Sequence, residues 1–445
     1  MKTPINTFLL IILLIHLSCK KEELNPTTDN QTTSNVDLTQ PDEPENLEII
    51  SNRPCENGLA GIFPCSGFDL ISFIPLDLFD AIAGNDSWGW TDPEAQKEYA
   101  LFGVENGTVF IDISQPDAPI VLGKLPTATE SSWWRDIKVY KNHAFIVSEA
   151  RGHGLQVFDL TQLRNATPNQ EFSADARLTT FGSAHNIAIS ETNGFAYVVG
   201  SESYNGGPIF IDINDPKSPQ EVGGYEADSY THDAQTVIYQ GPDSDYIGRE
   251  ILVASNSVGG ENNQVVILDV TNKEEIIKIS SFTYSDGGYT HQGWFTEDQH
   301  YFILGDELDE IQKGFKTNTR IIDLTDLDEP KLHMNFFGPT SAVDHNGYVN
   351  GSIFYMANYT YGMRALNISK IQEKNITEIG FFDTYPEDNS IATFGAWNVY
   401  PYFQSENILI SQFANNNFTT NGMINYRNIN AQAKKVIDEF NVVTP

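Results

Sequence analysis

Four histidines stand at corresponding places in the chain: Ser183-Ala184-His185-Asn186, Tyr230-Thr231-His232-Asp233, Tyr289-Thr290-His291-Gln292 and Val343-Asp344-His345-Asn346. Each is followed by Asn, Asp or Gln and then by a strand-like run. Neutral imidazoles converging on one point would bind a divalent metal ion as cofactor, with Asp233, Gln292, Asp344 or Asn346 orienting the rings or adding oxygen ligands. Two further places in the series differ. Arg135-Asp136 brings a permanent cation suited to an anionic substrate, and Trp397-Asn398 brings an aromatic face. A metal on His185, His232, His291 and His345, with an anion bridging to Arg135, would make a hydrolase or lyase site. The competing reading is that polar residues at the starts of repeated strands bond backbone between strands. Spacing leaves both open, because ligands and packing residues would share one period.

Those residues need a repeating scaffold. The histidine steps are 47, 59 and 54 residues apart, and the longest interval contains the turn-rich Gly241-Pro242-Asp243-Ser244-Asp245. About fifty residues suffice for four short strands with turns, the period of propeller blades. Counting Asp86, Arg135, His185, His232, His291, His345 and Trp397 as anchors gives an all-β, seven-bladed β-propeller whose anchors form a ring at the central channel. In the fourth unit the strands are expected at 234–239, 250–255, 264–270 and 276–284, and in the last unit at 397–403, 408–413 and 423–427. Either 70–76 or 436–443 could complete the last blade, and the N-terminal segment is the expected closing strand.

A second repeat supports this division. Val109-Phe110-Ile111-Asp112-Ile113-Ser114 returns as Ile209-Phe210-Ile211-Asp212-Ile213-Asn214, with further copies around Asp159, Asp269, Asp323 and Asn367. An Asp followed two residues later by Ser, Thr or Asn at a strand end reads as a turn fixed by side-chain-to-backbone bonds. These aspartates are therefore structural. His143, His153, His300 and His333 fall at turns or edges, where surface placement is expected. Trp133, Trp134, Trp294 and Trp397 lie near the ring mouth, either stacking on sugars or packing between blades.

Composition narrows the partners. The 26 Lys and Arg against 60 Asp and Glu leave a net charge of -34, which repels nucleic acid and anionic membrane surfaces. Acidity of this order is compatible with cation binding and equally with solubility alone. The opening Met1-Lys2, the apolar run Phe8–Ile15 and Leu17-Ser18-Cys19 resemble a bacterial lipoprotein signal, with His16 departing from the usual aliphatic residue. Residues 1–18 are then the signal, Cys19 the lipidated residue, 19–54 a polar tether, 55–430 the propeller and 431–445 a tail. Lys21-Glu22-Glu23 resembles the acidic signal for the outer face of an outer membrane. Cys55 and Cys65 form an even pair in an exported chain, so a disulfide is expected; closing its loop contributes roughly 2 to 3 kcal/mol.

Cys55-Glu56-Asn57-Gly58-Leu59-Ala60 through Pro64-Cys65, Trp88-Gly89-Trp90-Thr91-Asp92-Pro93, the Ile-Asp-Ile turns and the Thr-His-Asp/Gln steps together resemble the choice-of-anchor B family, over about residues 55–430. The resemblance implies an exported propeller with LVIVD-type repeats and implies no catalytic residues. The expected function is a lipid-anchored extracytoplasmic binding module, monomeric, recognising an extracellular protein, a glycan or a small anionic ligand, with no nucleic acid and no membrane contact beyond the anchor. The metal-dependent enzyme is the alternative.

Overall fold

The computed structural model describes residues 48–258, 261–387 and 389–413, and the backbone of 422–428. The signal, Cys19, most of the tether and the tail 431–445 lie outside the described residues. Alternating apolar residues and frequent turn signals favour strands over helices. The described strands accordingly form seven sheets, and the single α-helix among the described residues is the short Asp309–Lys313. No described helix is long and apolar enough to cross a membrane.

In chain order the innermost strands are Gly84–Thr91, Arg135–Tyr140, Asn186–Ser190, Thr231–Ile238, Thr290–Phe295, Gly347–Asn350 and Gly395–Tyr400. Each lies beside the next, and the last lies beside the first, so they enclose a central channel as in a β-propeller. The fourth sheet runs Thr231–Ile238, Glu250–Val258, Glu261–Asp269 and Ile277–Thr283, antiparallel throughout, close to the strands expected from sequence. Its apolar residues pack on its neighbours: Ile251, Val253 and Ile267 meet Phe302, Leu304 and Ile322 of the fifth sheet. The core thus lies between sheets.

The ring closes through the N-terminal segment, as expected: Phe68–Pro75 pairs antiparallel with Gly422–Asn428 of the last sheet. One boundary is corrected. Ile50–Arg53, assigned to the tether, is a strand on the outer edge of Phe68–Pro75, because an uncovered edge would leave backbone groups unmet. The expected Cys55–Cys65 disulfide is formed, and its hairpin pairs onto the sixth sheet through Cys65 and Phe382. Phe63 of the hairpin packs on Phe73 and Phe382, tying it to two sheets. In the first sheet Gln170–Glu171 adds a parallel edge strand beside Gly123, whose φ is +153° and where any Cβ would collide with the Gln170 carbonyl.

The recurring turn residue behaves alike in all six copies. Asp112, Asp159, Asp212, Asp269, Asp323 and Asn367 each accept the backbone N–H two residues on, at 2.9–3.1 Å.

At the channel, side chains join every inner strand to the next. Asp86 accepts Ile137 N–H at 3.2 Å, Asp136 accepts Ile187 N–H at 2.7 Å, and Asn186 donates to the His232 carbonyl at 3.0 Å. His232 Nδ1 donates to the His291 carbonyl at 3.1 Å, while Gln235 accepts Phe295 N–H at 2.7 Å. Gln292 exchanges two bonds with Gly347, at 3.0 and 3.1 Å. His345 Nδ1 donates to the Trp397 carbonyl at 2.6 Å, and Asn398 donates to the Ser87 carbonyl at 2.6 Å. Replacing Gln292 by Ala strands both backbone groups of buried Gly347, so urea unfolding should show a loss of about 2 kcal/mol, whereas a change below about 0.5 kcal/mol would contradict the role given to this joint.

Candidate functional site

His232 and His291 are the second residues of their inner strands, while His185 immediately precedes its strand and His345 stands two residues before its own. All four are buried. They do not converge on one point as a four-ligand site requires. The rings follow one another around an arc with centroids 4.2 Å (His185–His232), 4.3 Å (His232–His291) and 4.3 Å (His291–His345) apart. Trp397 continues the arc 4.2 Å from His345, and Phe413 lies 4.9 Å beyond it. Neighbouring inner strands set these intervals, so the arc follows from the repeat.

Carbonyls accept from His232 and His345, so both carry the proton on Nδ1 and leave Nε2 as a lone pair. His185 instead bonds the Glu149 carboxylate through Nδ1 at 2.6 Å. Burial depresses the His185 pKa, but the bond to and charge of Glu149, helped by Glu307 and Asp233, bring it above the usual value. Burial and the neighbouring imidazoles hold His232 and His345 well below theirs, and push His291 down to about 3. The arc is therefore neutral over three of its members.

Glu307 is the group that sequence reading missed here. Its Oε2 lies 3.7 Å from His291 Nε2 and its Oε1 4.0 Å from His345 Nε2. The buried Tyr359 hydroxyl donates to Glu307 Oε1 at 2.7 Å. Glu105, Glu149 and Glu307 each directly follow the second strand of their sheets, a shared position visible in the sequence as a second series beside the histidines.

Several anticipated partners are placed elsewhere. Arg135 does not face the histidines: its guanidinium donates to the Val104 carbonyl at 3.3 Å and to His153 Nε2 at 3.1 Å. It is buried between the first two sheets and is not available to an anionic substrate. Asp344 accepts from Thr319 Oγ1 at 2.6 Å, and burial, then Asp309, push it up to about 8, so it is no carboxylate partner for His345. Asp136 and Gln292 are joints between strands, and Asn346 is buried at the arc with its carbonyl on Ala357 N–H. His153, expected at the surface, is wholly buried.

Farther along the inner strands the channel widens into a cavity of about 390 Å³. Trp88, Trp294, Tyr348, Tyr400 and Tyr402 line it, together with Asp233 and Lys138. Trp294 and Tyr348 meet edge to face at 4.8 Å, as do Trp88 and Tyr400 at 5.0 Å. Lys138 is already engaged: its ammonium bonds Asp136 at 2.6 Å and sits 4.5 Å over the Trp88 ring. Burial, then the Asp136 charge, push Asp233 up to about 7, and exposed Glu191 and Glu297 stand at the rim. Of the expected tryptophans, Trp294 is in this cavity, Trp397 is buried in the arc, and Trp133 and Trp134 are exposed.

The LVIVD repeat family matches residues 181–227, the third sheet with its Ile-Asp-Ile turn. No curated protein matches the chain. Among solved structures the chain is similar to a protein from Lactobacillus plantarum at 13% identity and TM-score 0.50, over 69% of this chain and 84% of the other. It is also similar to U3-55K at 7% identity and TM-score 0.52, over 78% and 95%. The β-propeller domain of Myceliophteria thermophila Cps50 (Swd1) aligns at 10% identity and TM-score 0.48, over 75% and 94%. Such likenesses speak to the fold alone.

The Arg135–His153 contact makes a pH prediction. Burial, then the Arg135 charge, lower His153 to about 4, so the folded protein keeps it neutral while the unfolded chain takes up a proton near pH 6.5. Its contribution is complete above pH 6.5 and is lost as pH falls toward 4. Between pH 7 and 5 the wild type should lose roughly 2 kcal/mol more stability than His153→Asn. Equal pH slopes in denaturant titrations of the two proteins would refute this.

Proposed function

We propose that this chain is a lipid-anchored, extracytoplasmic binding module, a seven-bladed propeller that takes a glycan into the wide end of its channel. The observation that carries the reading is the aromatic cavity. The Trp294 ring with the polar Tyr348, Tyr400, Tyr402 and Asp233 groups around it suits the alternating apolar and hydroxylated faces of a sugar. A small anionic ligand is disfavoured, because Arg135 and Lys138 are spent on protein partners while Glu191 and Glu297 flank the entrance. The ordered motifs and the LVIVD match support kinship with the choice-of-anchor B propellers. Cys19 after the apolar run Phe8–Ile15 supports lipidation, Lys21-Glu22-Glu23 supports the outer face of an outer membrane, and the module acts as a monomer.

In a screen of neutral oligosaccharides followed by tryptophan fluorescence, a binding sugar should perturb the emission, and Trp294→Ala should weaken it about tenfold or more. Binding that Trp294→Ala leaves unchanged would place the ligand elsewhere. For the anchor, Cys19→Ala should move the protein from the membrane to the soluble fraction or leave its precursor unprocessed; unaltered membrane attachment would overturn lipidation.

A further inference from the structure

We propose that His291, His345 and Glu307 form a binding site for a divalent first-row transition ion, with zinc as the ion that fits the donors best. The site lies at the histidine arc rather than in the aromatic cavity, so it stands or falls independently of glycan binding. Two imidazole nitrogens and a carboxylate, with no thiolate, are donors for Zn²⁺ and its neighbours in the series.

Their candidate ligand atoms all lie within 4.8 Å of one another. A tetrahedral ion with bonds of about 2.0–2.1 Å holds its ligands about 3.4 Å apart. Glu307 Oε2 is 3.7 Å from His291 Nε2 and Oε1 is 4.0 Å from His345 Nε2, so binding an ion draws the three ligands together by up to about 1.4 Å, within the reach of side-chain rotation.

The groups behind the ligands fit a metal site as well. The Trp397 carbonyl takes the Nδ1 proton of His345, which fixes the tautomer whose Nε2 is a lone pair. That Nε2 is buried and has no hydrogen-bond partner among the described residues. A buried acceptor without a partner is costly, and a metal bond removes the cost. Tyr359 orients Glu307 through its hydroxyl. His291 directs Nε2 toward Glu307, while its Nδ1 makes no hydrogen bond among the described residues. Three ligands leave at least one coordination position open, as in zinc sites that bind water or a substrate atom rather than closed structural ones. His185 and His232 stay outside: the first is on Glu149, and the second is not among the side chains whose ligand atoms all come within 4.8 Å of one another.

The test is zinc titration by calorimetry of the full-length protein after chelator treatment. One equivalent should bind, Glu307→Gln should weaken binding about 100-fold or more, and His300→Asn, at a surface histidine, should leave it unchanged. No zinc binding by the folded wild type, or full affinity in folded Glu307→Gln, would overturn the site. If Glu307→Gln does not fold, X-ray absorption of the zinc-loaded wild type decides. Two imidazole nitrogens with an oxygen shell support the assignment; an all-oxygen shell points to the Asp243–Asp326–Asp328 group at the surface and overturns it.

Discussion

The ring depends on side chains of one inner strand bonding the backbone of the next. The inner strand of each sheet is a sheet edge, and its backbone groups face a neighbouring sheet rather than a partner strand. Buried from water, such groups must be satisfied by side chains. Asp86, Asp136, Asn186, His232, Gln292, His345 and Asn398 supply one bond at each successive joint, the last returning to Ser87 of the first sheet. Acceptor carboxylates meet N–H groups, and amides or Nδ1–H groups meet carbonyls, so the residue type at each joint matches the group it satisfies.

That role accounts for part of the histidine series. His232 and His345 donate Nδ1–H to the next strand and belong to the packing reading. The same bonds, however, set both rings with Nε2 free of its proton. At His345 this lone pair has no hydrogen-bond partner among the described residues and faces Glu307, so structural service in one direction creates ligand character in the other. The two readings drawn from the sequence are therefore not exclusive. They apply to opposite sides of one ring.

The repeat was legible because it rests on local chemistry. Strand, Asp, apolar residue and hydroxyl in succession encode a turn whatever surrounds them, and all six copies make the same bond. The disulfide pair and the N-terminal closing strand were likewise visible in residue type and order. Side-chain direction was not. Arg135 occupies an anchor position yet turns outward to Val104 and His153, because the space between the first two sheets, not the position in the repeat, receives it. Asp344 turns to Thr319 for the same reason. Glu307 escaped notice because it directly follows a second strand rather than opening an inner one, and only the lateral packing of the fifth and sixth sheets brings it to His291 and His345. The cavity aromatics come from four sheets, and Trp294, Tyr348 and Tyr400 each stand three residues after the anchors His291, His345 and Trp397, a spacing present in the sequence whose common direction only the fold reveals.

The account rests on His232 and His345 being neutral and tautomerically fixed by their joints. Nitrogen NMR of the protein labelled with ¹⁵N-histidine, before any metal is added, reads this directly. His232 and His345, assigned by single replacement, should show a protonated Nδ1 and a bare Nε2 at pH 7, with no titration near pH 6.5. Protonated Nε2 on either ring, or a charge change near pH 6.5, would contradict it.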